Sequence, residues 1–101
     1  MQFDIYRNTG AGSGFAPYLI ELQHDYVGNI KTAVVAPLIP EGSFTPQGRL
    51  TPTISVLGEN HMLSTTELFT IERRRLGPVV TSAESLHQLI IGALDLLFTG
   101  V

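Results

Sequence analysis

Residues 81–101 read TSAESLHQLIIGALDLLFTGV, and this stretch decides the fold. Thr81 and Glu84 have the spacing of a capping box, in which the hydroxyl accepts from one backbone amide and the carboxylate from the other. Beyond them only Gly92 disfavours a helix, and Gly100 stands where a left-handed C-terminal residue is expected. The sequence therefore predicts a helix that begins at the capping box and ends just before Gly100.

The apolar residues of this helix cover more of its circumference than one core needs. At about 100° per residue they spread over roughly 220°, whereas packing on a single core takes a stripe upward of about 100°. The excess predicts a second copy of the chain in a two-fold dimer, or else a helix between two sheet faces of its own domain. The apolar set comprises Leu86, Leu89, Ile90, Ile91, Ala93, Leu94, Leu96, Leu97 and Phe98.

The rest of the helix circumference, which we call the polar arc, holds Glu84, Gln88, Gly92, Asp95 and Thr99. Asp95 and Thr99 are i, i+4 neighbours and share a face. A solvated face is the simpler interpretation of this arc. Gly92 favours a contact surface, because a solvent-facing helical glycine loses stability unless something approaches its backbone closely.

The chain before this helix has the pattern of short antiparallel β-strands. Residues 2–6 alternate, with Phe3 and Ile5 on one face and Asp4 and Tyr6 on the other, which is typical of a half-buried strand. Further strands are predicted at 18–23, 31–39, 51–56, 61–65 and 69–71.

Turn-forming residues separate these strands. Residues 8–14 hold three glycines, and residues 40–48 hold two prolines and two glycines, which predicts surface loops. The sequence Gly-Glu-Asn at 58–60 indicates a β-hairpin. The three arginines at 73–75, if extended, send the first and third side chains to one face as solvated charges. The alternative is a grip on a phosphate or a carboxylate-rich peptide.

Composition excludes several classes of function. The 101 residues fit one domain, 1–101, and the absence of cysteine removes disulfides, a cysteine nucleophile and thiolate metal sites. A net charge of -3 disfavours an electrostatic nucleic-acid binder. His24, His61 and His87 lie in no recognisable motif, so no catalytic residue, metal or cofactor is predicted.

The sequence also predicts no targeting signal. The N-terminus has no cationic start followed by an apolar run, so a secretory signal is not expected. The most apolar stretch, 89–98, falls short of the roughly 20 residues that cross a bilayer. We therefore expect a soluble protein of the cytoplasm with no membrane partner.

Nearly the whole chain resembles the CcdB-type toxins of bacterial toxin–antitoxin modules. The ending at 93–101, with an apolar last residue directly after a glycine, is the strongest part. The other matches are Met1-Gln2-Phe3 with Ile5-Tyr6, Gln23 and Asp25, Val35 with Pro37-Leu38, Leu50 with Pro52, Met62 with Thr65-Thr66, and Gly77. The resemblance implies a mainly β (α+β) fold, a small SH3-like antiparallel barrel with a C-terminal α-helix, CcdB/MazF-like and paired into a homodimer.

The resemblance also implies a function. CcdB-type toxins are not enzymes; they bind the DNA gyrase A subunit and trap gyrase on cleaved DNA. A cognate antitoxin with a disordered C-terminal segment neutralises them, and the two together repress their operon, so DNA is contacted only through the antitoxin complex. The gyrase-contact positions fall here on Gln2, Phe3, Tyr6, His24, Tyr26, Asp95, Thr99, Gly100 and Val101.

Two alternatives accompany this resemblance. Related toxins of the same fold are sequence-specific endoribonucleases that use the RNA 2′-hydroxyl as nucleophile, for which Arg73, Arg75 and His24 would supply charge and proton transfer. The net acidity and the match at the C-terminus disfavour that alternative. The other is a degenerate homologue that only binds an antitoxin or regulates transcription, since Thr99 stands where the best-known members carry a tryptophan.

Overall fold

The protein, seen in a computed structural model that describes residues 1–25 and 30–101, is a curled antiparallel half-barrel with a C-terminal helix. In the described residues the strands pair in the order β4-β5-β3-β2-β1-β7, and β6 also pairs with β3. The element bounds are β1 (Asp4–Arg7), β2 (Tyr18–Glu21), β3 (Thr32–Pro40), β4 (Thr53–Val56), β5 (Glu59–Leu63), β6 (Phe69–Glu72), β7 (Val79–Ser82) and α1 (His87–Thr99).

Strand β3 organises the sheet because it is long enough for three partners. Val35 pairs with Glu21 of β2 on one side and with Phe69 of β6 on the other. Leu38 pairs in the same way with Tyr18 and with Leu63 of β5. Strands β5 and β6 therefore lie one after the other along the same edge of β3.

The main core lies between α1 and one face of the sheet. Ile5, Ile20, Leu38 and Leu63 from neighbouring strands meet Ile90 of α1, and all five are fully buried. Burial of side chains of this size stabilises a fold by about 1.5–3 kcal/mol each. The predicted mainly β fold with a C-terminal helix is confirmed.

The opposite face of the sheet carries a second, smaller cluster. Its members are Leu19, Ala33 and Val35, with Ile71 and Leu76 packed against them. Tyr6, predicted to lie on the outer face of a half-buried strand, is only 7% exposed. That part of the prediction is wrong, because β1 is covered on both faces.

The segment before α1 corrects the predicted capping box. Thr81 lies in β7 opposite Ile5, so it is a strand residue and not a helix cap. The Ser82 hydroxyl accepts from the backbone N–H of Glu84 at 3.2 Å, and a turn of 3-10 helix (Glu84–Leu86) leads into α1. The helix is present, but it begins at His87 rather than at a Thr81 cap.

The three arginines at 73–75 form a turn of 3-10 helix, so their prediction as an extended run is wrong. The chain then crosses β1 closely at Gly77. A Cβ there would lie 2.3 Å from the carbonyl oxygen of Arg7. Only glycine therefore allows the Arg7 N–H to reach the Pro78 carbonyl at 2.9 Å.

The predicted hairpin is confirmed, but its turn is displaced. Val56 pairs with Glu59, so the two turn residues are Leu57 and Gly58. Their φ angles are +52° and +86°. A two-residue turn of this kind needs positive φ at both positions, which leucine adopts only with strain.

We expect Leu57→Asn to stabilise the fold by about 0.5–1 kcal/mol, because asparagine tolerates positive φ far better than leucine. Leu57 is exposed, so the change removes little packing. The midpoint of urea unfolding measures the effect. Ser55→Asn, at an exposed position of β4, is the matched control and should bring no gain. An unchanged or lowered midpoint for Leu57→Asn would contradict backbone strain at Leu57.

Candidate functional site

The last two residues of α1 and the two residues that follow it are exposed. Gly100 has φ +77°, and its N–H donates to the Leu96 carbonyl at 3.0 Å, which closes the helix in a left-handed turn as predicted. Val101 follows it and is 84% exposed, and Phe98 is exposed beside it. The chain thus presents two apolar side chains outside its own core.

The polar arc of α1 is exposed along its whole length. The Thr99 hydroxyl donates to the Asp95 carbonyl at 2.7 Å, so this side chain is held against its own helix. A Cβ added at Gly92 would meet nothing within 4 Å outside its own helix. Within the described residues, nothing packs against the arc at Gly92. We call Asp95, Thr99, Gly100 and Val101 the C-terminal site.

Phe3 lies at the other end of α1. It is fully buried, and its ring meets the ring of His87 edge-on at 5.3 Å between centroids. Its φ of +67° is rare for an aromatic residue. His87 is the first residue of α1 and Thr99 the last, which separates them by about 18 Å along the axis. One copy of the chain therefore does not bring Phe3 to the C-terminal site.

Gln2 joins the N-terminus to the segment that follows β2. Its backbone N–H donates to Oδ1 of Asp25 at 2.7 Å, and its side-chain Nε2 donates to the Leu22 carbonyl at 3.1 Å. His24 is exposed next to Asp25 in the chain. Gln2 and His24 thus belong to the same end of the fold, and Tyr26 lies outside the described residues.

Tyr6 is part of a buried polar network around Glu21, a residue that is 1% exposed. Oε1 of Glu21 accepts from the Tyr6 hydroxyl at 2.9 Å and from the ammonium of Met1 at 2.9 Å. Oε2 accepts from Nη2 of Arg73 at 2.6 Å. Sequence reasoning missed this network, for which the available signal was a glutamate within an otherwise apolar strand.

Comparison with known protein families bears on the whole chain. The family model described as CcdB protein matches residues 2–100. The chain belongs to the CcdB family. It is therefore a toxin of a toxin–antitoxin system, and the resemblance drawn from the sequence is confirmed at that level. No curated protein matches the chain.

In this CcdB-family fold the Glu21 network shifts the ionisation of its members. Burial raises the pKa of Tyr6 to about 12, and the hydrogen bond to Glu21 acts in the same direction. Burial alone would raise the pKa of Glu21 as well. Hydrogen bonds from Arg73, the N-terminal ammonium and Tyr6 outweigh burial and hold the pKa of Glu21 below its ordinary value. The folded state thus favours an ionised Glu21 beside a neutral Tyr6.

We expect the stability of this CcdB-family chain to fall as the pH rises from about 10, where unfolded tyrosine titrates, towards the folded pKa of Tyr6 of about 12. Glu21 acts at acidic pH. Because its pKa is lowered in the folded state, the ionised carboxylate stabilises the fold above the ordinary pKa of a glutamate, and this stabilisation is lost as the pH falls through the lowered pKa. Urea midpoints across the alkaline range measure the first effect. Tyr6→Phe should flatten the alkaline fall, and a fall equal to that of the parent chain would refute the assignment.

Arg73, which the ribonuclease alternative would use, is occupied in this CcdB-family chain. Its guanidinium binds Glu21, and its backbone N–H donates to the Lys31 carbonyl at 2.8 Å. Among residues 1–25 and 30–101, no group of three or more acidic or histidine side chains is placed to hold a metal ion. No helix in those ranges is long and apolar enough to span a membrane.

Proposed function

We propose that this CcdB-family toxin acts on DNA gyrase: it binds the A subunit through the C-terminal site and traps the enzyme on cleaved DNA. The observation that carries the proposal is the exposed end of α1, where Val101 is 84% exposed after the left-handed Gly100. An exposed apolar anchor at such an end is suited to fill a pocket on a partner. On this proposal the chain acts by binding in the bacterial cytoplasm and catalyses no reaction.

We assign the primary contact to the four residues of the C-terminal site, which share the last turn of α1 and its extension. Gln2 and His24, at the far end of α1, extend the contact on a large partner. Phe3 and Tyr6 are buried, so their part is to hold Gln2 and the N-terminus in place. Tyr26 is assigned to the same contact on the resemblance alone.

We further propose that the working form is a homodimer. Phe98 is exposed on α1, and Ile91 and Leu94, which lie on the same side of the helix at i, i+3, i+7 spacing, are half-buried. A second copy that covers these side chains removes apolar surface from water, which favours association in proportion to the area buried. We expect sedimentation velocity to give a dimer at micromolar concentration. A monomer would contradict this part of the proposal.

Neutralisation and control of expression belong to the partner of the toxin. We propose a cognate antitoxin whose disordered C-terminal segment folds along the toxin, and an operon-repressing complex of the two. The net charge of -3 supports DNA contact through the antitoxin, because phosphate binding requires a surplus of Lys and Arg.

Expression in two strains tests the proposal. The chain is induced in cells with wild-type gyrase and in cells with a toxin-resistant gyrase A subunit, while the integrity of messenger RNA is followed. We expect growth arrest with intact transcripts in the wild-type strain and normal growth in the resistant one. Arrest of the resistant strain with fragmented transcripts would favour a ribonuclease, and growth of both would favour a degenerate homologue.

A further inference from the structure

A cleft of about 1050 Å³ lies on the sheet face opposite α1, away from the C-terminal site. Leu19 and Ile71 of the smaller apolar cluster contribute to its lining. Phe15 and Phe69, which also line it, are 53% and 42% exposed. Ligand sites in proteins have volumes on the order of 300–1,000 Å³, so the cleft is large enough for a bulky apolar side chain and the backbone that carries it.

Hydrogen bonds hold both walls of this cleft in place. In the loop between β1 and β2, the Asn8 side chain donates to the Ala16 carbonyl at 2.8 Å and accepts from the Gly10 N–H at 3.0 Å. On the other wall, Arg73 fixes the three-arginine turn to Glu21 at 2.6 Å. A preformed cleft loses less conformational entropy when it binds a ligand.

The outer edge of β6 supplies unpaired backbone groups beside the cleft. The Arg73 N–H donates to the Lys31 carbonyl, which sets the phase of the β3–β6 ladder. In an antiparallel ladder alternate residues bond to the partner, so Thr70 and Glu72 direct their N–H and C=O groups away from β3. Both residues are exposed and line the cleft, and within the described chain β6 pairs with β3 alone. Such an edge is a template for another strand.

We propose that this cleft binds an extended segment of a partner protein, which adds to β6 as an antiparallel strand and places a bulky apolar side chain between Phe15 and Phe69. The backbone groups of Thr70 and Glu72 supply the hydrogen bonds, and the cleft supplies the selectivity for side chains. This inference does not rest on the proposed gyrase contact, whose primary part is the C-terminal site at the end of α1.

Arg75 gives the bound segment its charge preference. Arg74 is already paired with Glu72 at 3.1 Å, whereas Arg75 lines the cleft with no ion pair to the described residues. The remaining carboxylate of the lining, Glu67, precedes β6 and so belongs to the end of the strand opposite Arg75. An antiparallel segment starts at the arginine end of β6 and runs towards Phe69. Because side chains two residues apart share a face of a strand, the favoured segment carries a carboxylate two residues before its bulky apolar residue.

A pair of blocked pentapeptides tests the proposal. The probe is acetyl-Asp-Thr-Phe-Thr-Val-amide, titrated into the isotope-labelled protein while backbone amide resonances are followed. We expect saturable shifts at Thr70, Glu72 and the 8–16 loop. The reversed peptide, acetyl-Val-Thr-Phe-Thr-Asp-amide, has the same composition and should bind about threefold more weakly, which is the scale of one partly exposed ion pair.

Matched variants distinguish three contributions to binding of the probe: the backbone edge of β6, the apolar lining of the cleft and the charge of Arg75. Thr70→Pro removes one outward N–H without touching the β3 ladder and should weaken binding of the probe about fivefold or more, whereas Thr70→Ala should not. Phe15→Ala, on an exposed loop, is the second variant expected to weaken it. Arg75→Gln should weaken binding of the probe about threefold. Arg49→Gln, which removes the same charge elsewhere, should leave the binding unchanged.

Three results would overturn the inference. The first is the absence of saturable shifts around the cleft with the probe at millimolar concentration. The second is unchanged binding by both Thr70→Pro and Phe15→Ala when each is folded. The third is conversion of a dimer to a monomer by Thr70→Pro in sedimentation, which would assign the β6 edge to a second copy of the chain.

Discussion

Glu21→Gln is expected to lower the free energy of unfolding by about 3 kcal/mol. Glu21 is almost fully buried and accepts hydrogen bonds from Arg73, Tyr6 and the ammonium of Met1. Breaking a buried ion pair costs about 3–5 kcal/mol, because the remaining charge has lost its partner. Arg73 is 27% exposed, so water relieves part of this penalty and the lower end of that range applies.

The matched control is Glu72→Gln, which removes the carboxylate of the Arg74–Glu72 pair. Both partners of that pair are exposed, so the expected loss is within about 0.5 kcal/mol. Urea unfolding of the two variants and the parent at neutral pH gives the comparison. A loss for Glu21→Gln no larger than that for Glu72→Gln would contradict a central role for the buried network.

Gly100→Glu and deletion of Val101 are each expected to abolish toxicity while the chain stays folded. Gly100 has φ +77°, a conformation that a side chain strains, and the new carboxylate would lie on the proposed contact surface. Deletion of Val101 removes the most exposed apolar side chain of the C-terminal site. Neither change reaches the core, so we expect the unfolding free energy to fall by no more than about 2 kcal/mol.

The control for Gly100→Glu is Gly42→Glu. Gly42 also has positive φ, at +93°, and a Cβ there meets nothing within 4 Å, so the substitution brings similar strain and the same charge. It lies in the loop after β3 and should leave toxicity intact. Growth arrest is scored after induction of each variant. Toxicity retained by both C-terminal variants, or lost equally by Gly42→Glu, would refute the proposed contact.

Elements with a local signal were predictable from the sequence. The end of α1 at Gly100 follows from one glycine after a long apolar run, and the β4–β5 hairpin from a turn between two alternating segments. Even there the turn was displaced to Leu57-Gly58, because cross-strand pairing and not the turn residues set the register. The family resemblance predicts a contact at the end of α1, and Gly100 and Val101 are exposed there.

Features that depend on distant partners were not predictable. Thr81 has the spacing of a helix cap, and only its pairing with Ile5 of β1 makes it a strand residue. The sequence pattern predicts that Arg73 is a solvated charge. In the structure, β6 and the turn after it place Arg73 against Glu21, a residue 52 positions earlier in the chain. The Tyr6 hydroxyl donates to the same Glu21 carboxylate, and Tyr6 is buried beside it. No spacing within one segment carries this information, and the cleft beside β6 arises from the same long-range packing.

The most direct test of the gyrase proposal uses purified components. The toxin is incubated with supercoiled plasmid and gyrase assembled from either the wild-type or the toxin-resistant A subunit, and linear DNA is measured after the protein is removed. We expect linear DNA to accumulate with wild-type gyrase, to remain at background with the resistant enzyme, and to be lost with Gly100→Glu. Background levels with wild-type gyrase, at concentrations where the toxin is folded and dimeric, would contradict the account.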